Sequence, residues 1–298
     1  SEHSKKVFLE TSYDTENKQT KQKGLLKVTK PIEVVFEGVD VDKYFPTKSE
    51  LDLSVIKEQF CYLLVGHWMQ GDFGEDRKNV GYTIKTFLET FKNKKTAPAL
   101  ILKTSVVNTS ILDRDRILQR IDSIKNTVKG KLPNIYLLHG ELTDKNMNYL
   151  YNHSKVKVMV SHTKGEGFGR PLLEFTTTGK PVIASGWSGQ VDFLDKDKSI
   201  LIGGELHKVH PSAGIKDMIL EEAQWFKPND KEVAMAYKET FKNYKKFLVG
   251  GKRQKYRTNQ EFKLEHMFTL VDDLFKEKLP EFPQQVELKL PELDLPKL

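Results

Sequence analysis

The feature that most constrains the fold of this chain is one continuous stretch, residues 156–194. Val156, Val158 and Val160 form a β-branched run that is typical of a buried parallel strand. The glycine-rich sequence GEGFG follows at positions 165–169, where the chain must turn tightly. The start of the stretch therefore predicts a buried strand that ends in a glycine loop.

A helix is predicted directly after this loop, over residues 171–178. Pro171 suits the first helical position, where its missing N–H is not needed, and the sequence GKP at 179–181 ends the helix. The free N–H groups of such a helix face the loop and favour an anion such as phosphate. Glu166 and Glu174 flank the same junction, and carboxylates accept hydrogen bonds from hydroxyls but make poor phosphate ligands. The junction therefore predicts an anion site that also holds a sugar or a ribose.

Strands and helices alternate through most of the chain. Apolar runs predict strands at residues 32–36, 60–66, 99–102, 135–138, 156–160, 181–184 and 199–202. Helical spacing and capping predict helices at residues 2–13, 80–91, 111–128, 143–152, 171–178, 213–223, 230–248 and 258–277. This order predicts an α/β fold, a Rossmann-like doubly wound parallel sheet followed by C-terminal helices and an extended tail. The loops after the strands should meet in one crevice, where such sheets bind ligands.

Composition narrows the class of protein. The 298 residues, of which 38% are hydrophobic, are enough for one large or two small globular domains. No run approaches the ~20 apolar residues that span a bilayer, and no signal peptide opens the chain. Cys61 is the single cysteine, which rules out an internal disulfide and fits a reducing compartment, so we expect a buried thiol in a cytoplasmic protein.

The chain is basic, with a formal net charge of +7 at pH 7. Basic residues alternate with aromatic residues at 242–247 and at 251–257. This pattern predicts either a solvated basic surface or weak contact with a polyanion or a membrane surface. No nucleic-acid-binding motif accompanies the two runs, so the nucleic-acid signal is weak.

Four partial matches to common cofactor and metal patterns do not indicate such a site. GxGxxG fails because Arg170 takes the place of its third glycine, which argues against a nicotinamide cofactor. The sequence TGKP at 178–181 lacks the leading glycine and the final hydroxyl residue of a P-loop. His207 and His210 are better explained as surface histidines, and the Asp-Val-Asp sequence at 40–42 as a turn. We therefore predict no metal and no cofactor.

At GEGFGRPLLE, followed by GKPVIAS, the chain resembles the donor-binding signature of retaining glycosyltransferases with the two-domain GT-B fold. The family meant is the large one that includes sucrose-phosphate synthase and many mannosyl- and glucosyltransferases. The segments VVFEGVDVDKYFP, LLVGHWMQGDFGEDRKN and IYLLHGELTDKNMNYLYNHSKV occur in that family's order, so the resemblance covers residues 32–205. It implies the C-terminal donor half of a GT-B enzyme. Such an enzyme transfers a sugar from a nucleoside diphosphate sugar to a hydroxyl, here unidentified, and retains the configuration of the sugar. UDP or GDP would be the nucleotide part of the donor.

The resemblance also implies roles for individual residues. Glu166 would lie against the donor sugar, and Lys78, with Arg77 beside it, would bind the diphosphate; these three are the predicted catalytic residues. Glu174 would bind the ribose hydroxyls. The other predicted donor contacts are Gly66, His67, the base-side residues His139, Gly140 and Leu142, and the loop residues Gly167, Phe168, Gly169 and Arg170. The family commonly has an arginine where this chain has His67, so diphosphate binding is either weaker or supported by Arg77.

The resemblance further implies that an N-terminal acceptor domain is missing. Residues 1–30 would be a helix and linker left from the junction with that domain, and residues 31–250 would be the donor domain. Residues 251–280 would form a helix that packs on the missing domain or on a partner chain. Apolar surface should therefore be exposed on this helix and on the first one. Residues 281–298 would be an extended tail, either frayed or lying on this protein or a partner.

Two other functions remain open from the sequence. A chain that lacks the acceptor domain could be a non-catalytic nucleotide-sugar-binding or assembly subunit. The basic runs also allow a glycosyltransferase that acts on DNA. The motifs favour the donor domain of a glycosyltransferase over both.

Overall fold

The structure is a computed structural model that describes residues 1–106, 109–216, 218–220 and 222–280. In this part of the chain the strands are β1 (Ser12–Glu16), β2 (Lys23–Lys27), β3 (Cys61–Val65), β4 (Ala99–Lys103), β5 (Ile135–Leu138), β6 (Val156–Ser161), β7 (Val182–Ser185), β8 (Ile200–Ile202), β9 (Gly204–Lys208) and β10 (Gln224–Pro228). The helices are α1 (Glu2–Glu10), α2 (Val80–Phe91), α3 (Ile111–Asn126), α4 (Asp144–Asn152), α5 (Arg170–Thr176), α6 (Asp230–Lys242), α7 (Tyr244–Glu261) and α8 (Leu264–Lys278). Short 3-10 helices lie at Gly189–Asp192 and Pro211–Ala213.

Strands β3 to β8 form a parallel sheet of six strands in the order β5-β4-β3-β6-β7-β8. The chain runs outward from β3 to β5, then crosses back to β6 and continues outward to β8. The order therefore reverses between β3 and β6, and ligands of doubly wound sheets bind at that switch point, beyond the carboxyl ends of the strands. The predicted Rossmann-like doubly wound sheet is confirmed, and its switch point lies after Val65 and Ser161.

The central strands are buried on both faces, and for that reason they appear in the sequence as continuous apolar runs. Tyr62 and Leu64 of β3 belong to a core cluster formed with α2, α3 and α6. Cys61 and Leu63, which alternate with them, belong to the opposite cluster formed with α4 and α5. Cys61 is a buried thiol, as predicted. Helices thus cover both faces of the sheet.

The N-terminal region contains a hairpin where the sequence predicts a linker over residues 14–30. Strands β1 and β2 pair antiparallel, from Ser12 opposite Lys27 to Glu16 opposite Lys23. The turn is built by Asn17, whose side-chain oxygen accepts hydrogen bonds from the N–H groups of Gln19 and Thr20. Both strands are exposed along their whole length, so no apolar alternation marks them in the sequence.

Residues 32–36 form no strand, contrary to the prediction. The ring of Phe36 instead packs 5.1 Å from the ring of Phe262, just after α7. Val39 N–H donates to the carbonyl of Phe262 at 2.9 Å, and Val39 forms an isolated bridge with Lys263. The apolar run is explained by packing on the junction between α7 and α8, not by a place in the sheet.

Residues 213–223 contain no α-helix among those that the structure describes, again contrary to the prediction. Instead, β9 and β10 form an antiparallel hairpin that lies outside the parallel sheet. The connection between them is tied to the loop after β3, because Asp72 N–H donates to Ser212 Oγ and the Gln70 side chain donates to Gly214 O, each at 2.8 Å. All of β9 is exposed, so its sequence shows no strand pattern.

The described residues after β10 contain three helices, α6, α7 and α8, where the sequence predicts two. The helix predicted over 230–248 ends at Asn243, where α6 gives way to α7. Phe8 of α1 and Phe268 of α8 are exposed, as expected for these two helices. The domain boundaries stay predictions, and the one placed after residue 250 falls inside α7.

The predicted extended tail, residues 281–298, lies outside the described residues. Within the residues described, no helix is both long and apolar enough to cross a membrane.

Candidate functional site

The loops that follow β3 and β6 are joined at the switch point of the sheet. Lys164 N–H donates to the carbonyl of Arg77 at 2.8 Å, and Thr163 Oγ1 donates to the same carbonyl at 3.3 Å. Side chains from the two loops therefore meet above the carboxyl ends of these central strands. This is the position at which a doubly wound sheet binds its ligand.

Glu166 lies at the centre of this junction, between two cations. Its Oε1 is bonded to Lys78 Nζ, and its Oε2 lies 3.3 Å from Arg77 Nη1. The Arg77 guanidinium also donates to the carbonyl of Gly165 at 2.6 Å. The structure thus brings the three predicted catalytic residues together. Because two cations face one carboxylate, the three side chains together carry one positive charge, which favours binding of an anion.

Lys78 is positioned by the residues around it. The side chain of Asp76 accepts a hydrogen bond from Val80 N–H at 3.0 Å, which caps the start of α2 two residues after Lys78. Asp76 is buried, and burial raises the pKa of its carboxyl. Lys78 runs past Gly66, where a Cβ would stand 3.4 Å from Lys78 Cδ. Sequence reasoning missed Asp76, because it lies four residues before α2 and capping residues are expected directly before a helix.

The turn after β7 anchors one side of the glycine loop through hydrogen bonds. Glu166 N–H donates to Ser188 Oγ at 2.9 Å, and Gly189 N–H donates to the carbonyl of Glu166 at 3.0 Å. A Cβ at Gly189 would stand 2.2 Å from the carbonyl oxygen of Gly167, so only glycine allows this approach. Phe168 points its ring into the core, 5.0 Å from the ring of Phe193.

The side of the loop that faces away from this turn is open at Gly165 and Gly167. A Cβ added at Gly165 or Gly167 would meet no atom within 4 Å. Gly169, with a φ of +100°, makes the left-handed turn into α5. That helix has seven residues and begins at Arg170, one residue earlier than predicted. The loop therefore offers exposed backbone to a ligand on one side and is anchored on the other.

Glu174 has a different set of neighbours from Glu166. Its Oε1 accepts from Arg170 Nε at 3.0 Å, and its Oε2 accepts from the Tyr151 hydroxyl at 3.2 Å. Burial raises the pKa of Glu174, although hydrogen bonds from Tyr44, Arg170 and Tyr151 oppose that rise. This carboxylate therefore has arginine and tyrosine partners, whereas Glu166 is paired with a lysine and an arginine.

The predicted base-side residues lie at the ends of β4 and β5. His139 Nε2 lies 2.9 Å from Asp113 Oδ2, and that oxygen also accepts from Val106 N–H at 3.0 Å. Gly140 takes a φ of +99°, and its carbonyl accepts from Lys103 Nζ at 2.7 Å. The loop that follows β5 is therefore tied both to α3 and to β4.

Two further predicted donor contacts lie at this edge of the sheet. Leu142 is half-buried and packs on the core cluster of the sheet. His67 is exposed, and its Nδ1 lies 3.0 Å from Ser105 Oγ in the loop after β4. The imidazole of His67 is thus directed toward β4, while Lys78 and Arg77 contact Glu166.

Helix α1 contacts the glycine loop directly, which sequence reasoning did not anticipate. The hydroxyls of Ser1 and Ser4 both donate to the carbonyl of Gly167. The ring of His3 lies 5.1 Å from the ring of Trp187. Between α1, the glycine loop and β10 there is an open cleft of about 590 Å³. No motif in the sequence indicates this contact.

The histidines near the hairpin do not belong to a cluster of metal-ligating side chains in the described ranges of the chain. Among these residues, no group of three or more His, Cys, Asp or Glu side chains is arranged to hold a metal ion. His207 and His210 are exposed on the hairpin and its connection. Both remain surface histidines, as the sequence suggests.

Comparisons with known proteins agree with this geometry. Residues 125–224 match the family model described as glycosyl transferases group 1, a segment that includes the glycine loop and Glu174. A solved glycosyltransferase from Rickettsia africae superposes with a TM-score of 0.56 at 15% identity, covering 82% of this chain and 56% of that one. The chain has the fold of a group 1 glycosyltransferase. The resemblance predicted from the sequence is confirmed at this level.

Two other solved structures extend the comparison. The C-terminal domain of LpcC, a group 1 family glycosyltransferase from Francisella tularensis, matches with a TM-score of 0.53 at 14% identity, over 76% of this chain and 100% of that domain. HepE from Anabaena, solved in complex with UDP and glucose, matches with a TM-score of 0.54 at 14% identity, over 82% of this chain and 57% of that one. This chain therefore spans a little over half the length of the Rickettsia and Anabaena proteins. A search of curated proteins finds no match.

Proposed function

We propose that this chain is the donor-binding domain of a glycosyltransferase that uses a nucleoside diphosphate sugar. The observation that carries the proposal is the meeting of Lys78, Arg77 and Glu166 at the switch point, beside a glycine loop with open backbone. The group 1 fold supports it, as does the complex of HepE with UDP-glucose. The nucleotide in this chain would be UDP or GDP.

The two cations would hold the diphosphate. When the bond between the sugar C1 and the diphosphate oxygen breaks, negative charge grows on the leaving group. Lys78 and Arg77 would stabilise that charge without a metal. To bind the diphosphate, both side chains must turn from Glu166 toward it, which releases this carboxylate to accept hydrogen bonds from the sugar hydroxyls. In the retaining mechanism, the acceptor oxygen attacks C1 from the leaving-group side, and its proton passes to the departing phosphate oxygen.

The remaining donor contacts follow the elements of the sheet. Glu174, with its tyrosine and arginine neighbours, would accept hydrogen bonds from the ribose hydroxyls. The base would lie against the loop at 139–142, which Lys103 and Asp113 hold in place. The amides at 167–169 would face the sugar and the phosphates. Glu166 and Glu174 therefore bind different parts of one donor molecule.

Calorimetry with UDP, GDP and UDP-glucose tests this assignment. Lys78→Ala removes a charged hydrogen bond to the diphosphate, so UDP or GDP affinity should fall by about 10- to 100-fold. The matched control is Lys94→Ala, because Lys94 is an exposed lysine after α2. That control should bind as the unmodified protein does. Equal affinity in all three proteins, or no binding of any nucleotide, contradicts the proposal.

Release of free glucose from UDP-glucose separates an enzyme from a non-catalytic subunit. A protein that binds the donor, but neither transfers nor hydrolyses it, would be the nucleotide-sugar-binding subunit of the alternative hypothesis. Loss of both binding and hydrolysis in the Lys78→Ala variant is the result expected of the enzyme.

A further inference from the structure

The hairpin formed by β9 and β10 lies beside the donor site, and the donor proposal gives it no role. We propose that this domain contributes to acceptor binding through a groove along the hairpin, alongside the expected acceptor domain, and that the acceptor is a carbohydrate, so that the hydroxyl to be glycosylated belongs to a sugar. This inference rests on the proposed function and names the substrate class of the same site. Trp225 of β10 is its central residue.

Two clefts meet at Trp225. The first is the open cleft of about 590 Å³ over Glu166 and Gly167. The second, of about 350 Å³, lies on the other side, between the hairpin and the start of α2, where Tyr82 lines it. Trp225 and Lys164 line both clefts. A chain of sugars that crosses Trp225 would therefore reach from the second cleft to the donor site.

Aromatic rings provide flat surfaces along this route. The ring of Trp187, in the first cleft, stacks on the ring of Phe226 with an interplanar angle of 7° and centroids 6.0 Å apart. Trp225 is half-buried and holds Lys164 Nζ 6.0 Å from its ring centroid. One face of a pyranose carries C–H groups that suit the electron-rich face of an aromatic ring. Trp187 thus lines the first cleft with one face covered by Phe226, and Trp225 lines both clefts.

Polar side chains line the same two clefts, where sugar hydroxyls need partners. Lys164 Nζ is paired with Glu75 Oε2 at 2.7 Å, and its side chain is only 9% exposed. His207 and His210 line the second cleft and are exposed. Carboxylate, ammonium and imidazole groups can donate to or accept from hydroxyls on either side of a stacked ring.

The same lining disfavours other acceptor classes. A lipid chain would cover the ion pair of Lys164 and Glu75 with apolar surface and remove water from the partly exposed Glu75 carboxylate without replacing its hydrogen bonds. A nucleic acid would need free cations along the whole route; Lys208 and Lys227 line the second cleft, but Lys164, which lines both clefts, is paired with Glu75. Aromatic rings together with polar side chains that can donate to and accept from hydroxyls fit a carbohydrate.

A printed array of mono- to tetrasaccharides of the common hexoses tests the inference, with the full chain applied in the presence of saturating UDP. Trp225→Ala should bind the recognised glycan about tenfold more weakly, the loss expected for one stacked ring. Trp225→Phe keeps a flat ring and should retain most of the binding. Tyr256→Ala, which removes an exposed ring on α7, is the matched control and should bind normally. UDP affinity should be equal in all four proteins.

The possible outcomes separate the two proposals. If the unmodified protein binds UDP but no glycan, or if Trp225→Ala keeps full glycan binding, the acceptor groove is wrong and the donor site stands. If the protein binds glycans through Trp225 but binds no nucleotide, the donor proposal is wrong and the groove stands. Loss of UDP binding in Trp225→Ala alone would make the tryptophan part of the donor site, which also contradicts the groove.

Discussion

At the scale of single residues, the site assigns different environments to two identical side chains. Glu166 is bonded to Lys78 and Arg77, whereas Glu174 is bonded to Arg170 and Tyr151. The sequence predicts that both glutamates flank the glycine loop, because their positions relative to the predicted helix are fixed. It does not reveal their partners, since Tyr151 comes from another element that only the fold brings close.

The raised pKa of Glu174 leads to a prediction about stability and binding. Its folded pKa lies above the ordinary value of 4.5 because the carboxyl is buried. The folded state therefore holds this proton more tightly than the unfolded state does. The stabilising contribution of Glu174 is present below pH 4.5 and is lost as pH rises through the folded pKa.

Glu174→Gln removes the buried charge and keeps an acceptor for Arg170. At neutral pH the melting temperature should be equal to or higher than that of the unmodified protein, while UDP affinity falls because the ribose loses a charged acceptor. Glu50→Gln, at an exposed position, should change neither property. Thermal melts and calorimetry on the same samples would decide. A lower melting temperature at neutral pH together with unchanged UDP affinity would contradict this account.

At the scale of secondary-structure elements, the sequence predicts the strands and helices that have buried faces. Strands β3 to β8 and helices α2 to α4 are marked by apolar runs or by helical spacing, because each buries one or two faces. The hairpins are missed because their exposed strands carry no such pattern. The run at 32–36 misleads for the opposite reason: it is apolar because Phe36 packs on Phe262, without any strand partner.

Close backbone contact between elements gives a second prediction. Helix α7 passes so near the turn after α5 that a Cβ at Gly251 would stand 2.6 Å from the carbonyl oxygen of Gly179. Gly251→Ala should therefore lower the free energy of unfolding by about 1 to 3 kcal/mol through overpacking. Lys252→Ala, at the exposed neighbouring position, should have little effect. Urea denaturation measures both variants, and equal midpoints would show that α7 does not pack this tightly.

At the scale of the whole molecule, the chain has the fold of a group 1 glycosyltransferase and exposes both apolar and basic side chains. Both basic runs noted in the sequence come close to each other on α7, where Lys245, Lys246, Lys252 and Arg253 are exposed. Weak contact with a polyanion or a membrane surface stays a prediction for this helix. The fold itself could be predicted because the central strands are buried and therefore appear in the sequence as apolar runs. The groove beside Trp225 could not, because its lining comes from separate loops that the sequence does not connect.

The central claim is that Lys78 and Arg77 hold a nucleoside diphosphate at the switch point of the sheet. A crystal structure of the protein with UDP tests it most directly. The claim predicts diphosphate oxygens within hydrogen-bond distance of Lys78 Nζ, the ribose on Glu174, and Glu166 released from Lys78. Density for UDP on the basic face of α7 or along the β9–β10 hairpin, with Lys78 still bonded to Glu166, would contradict it.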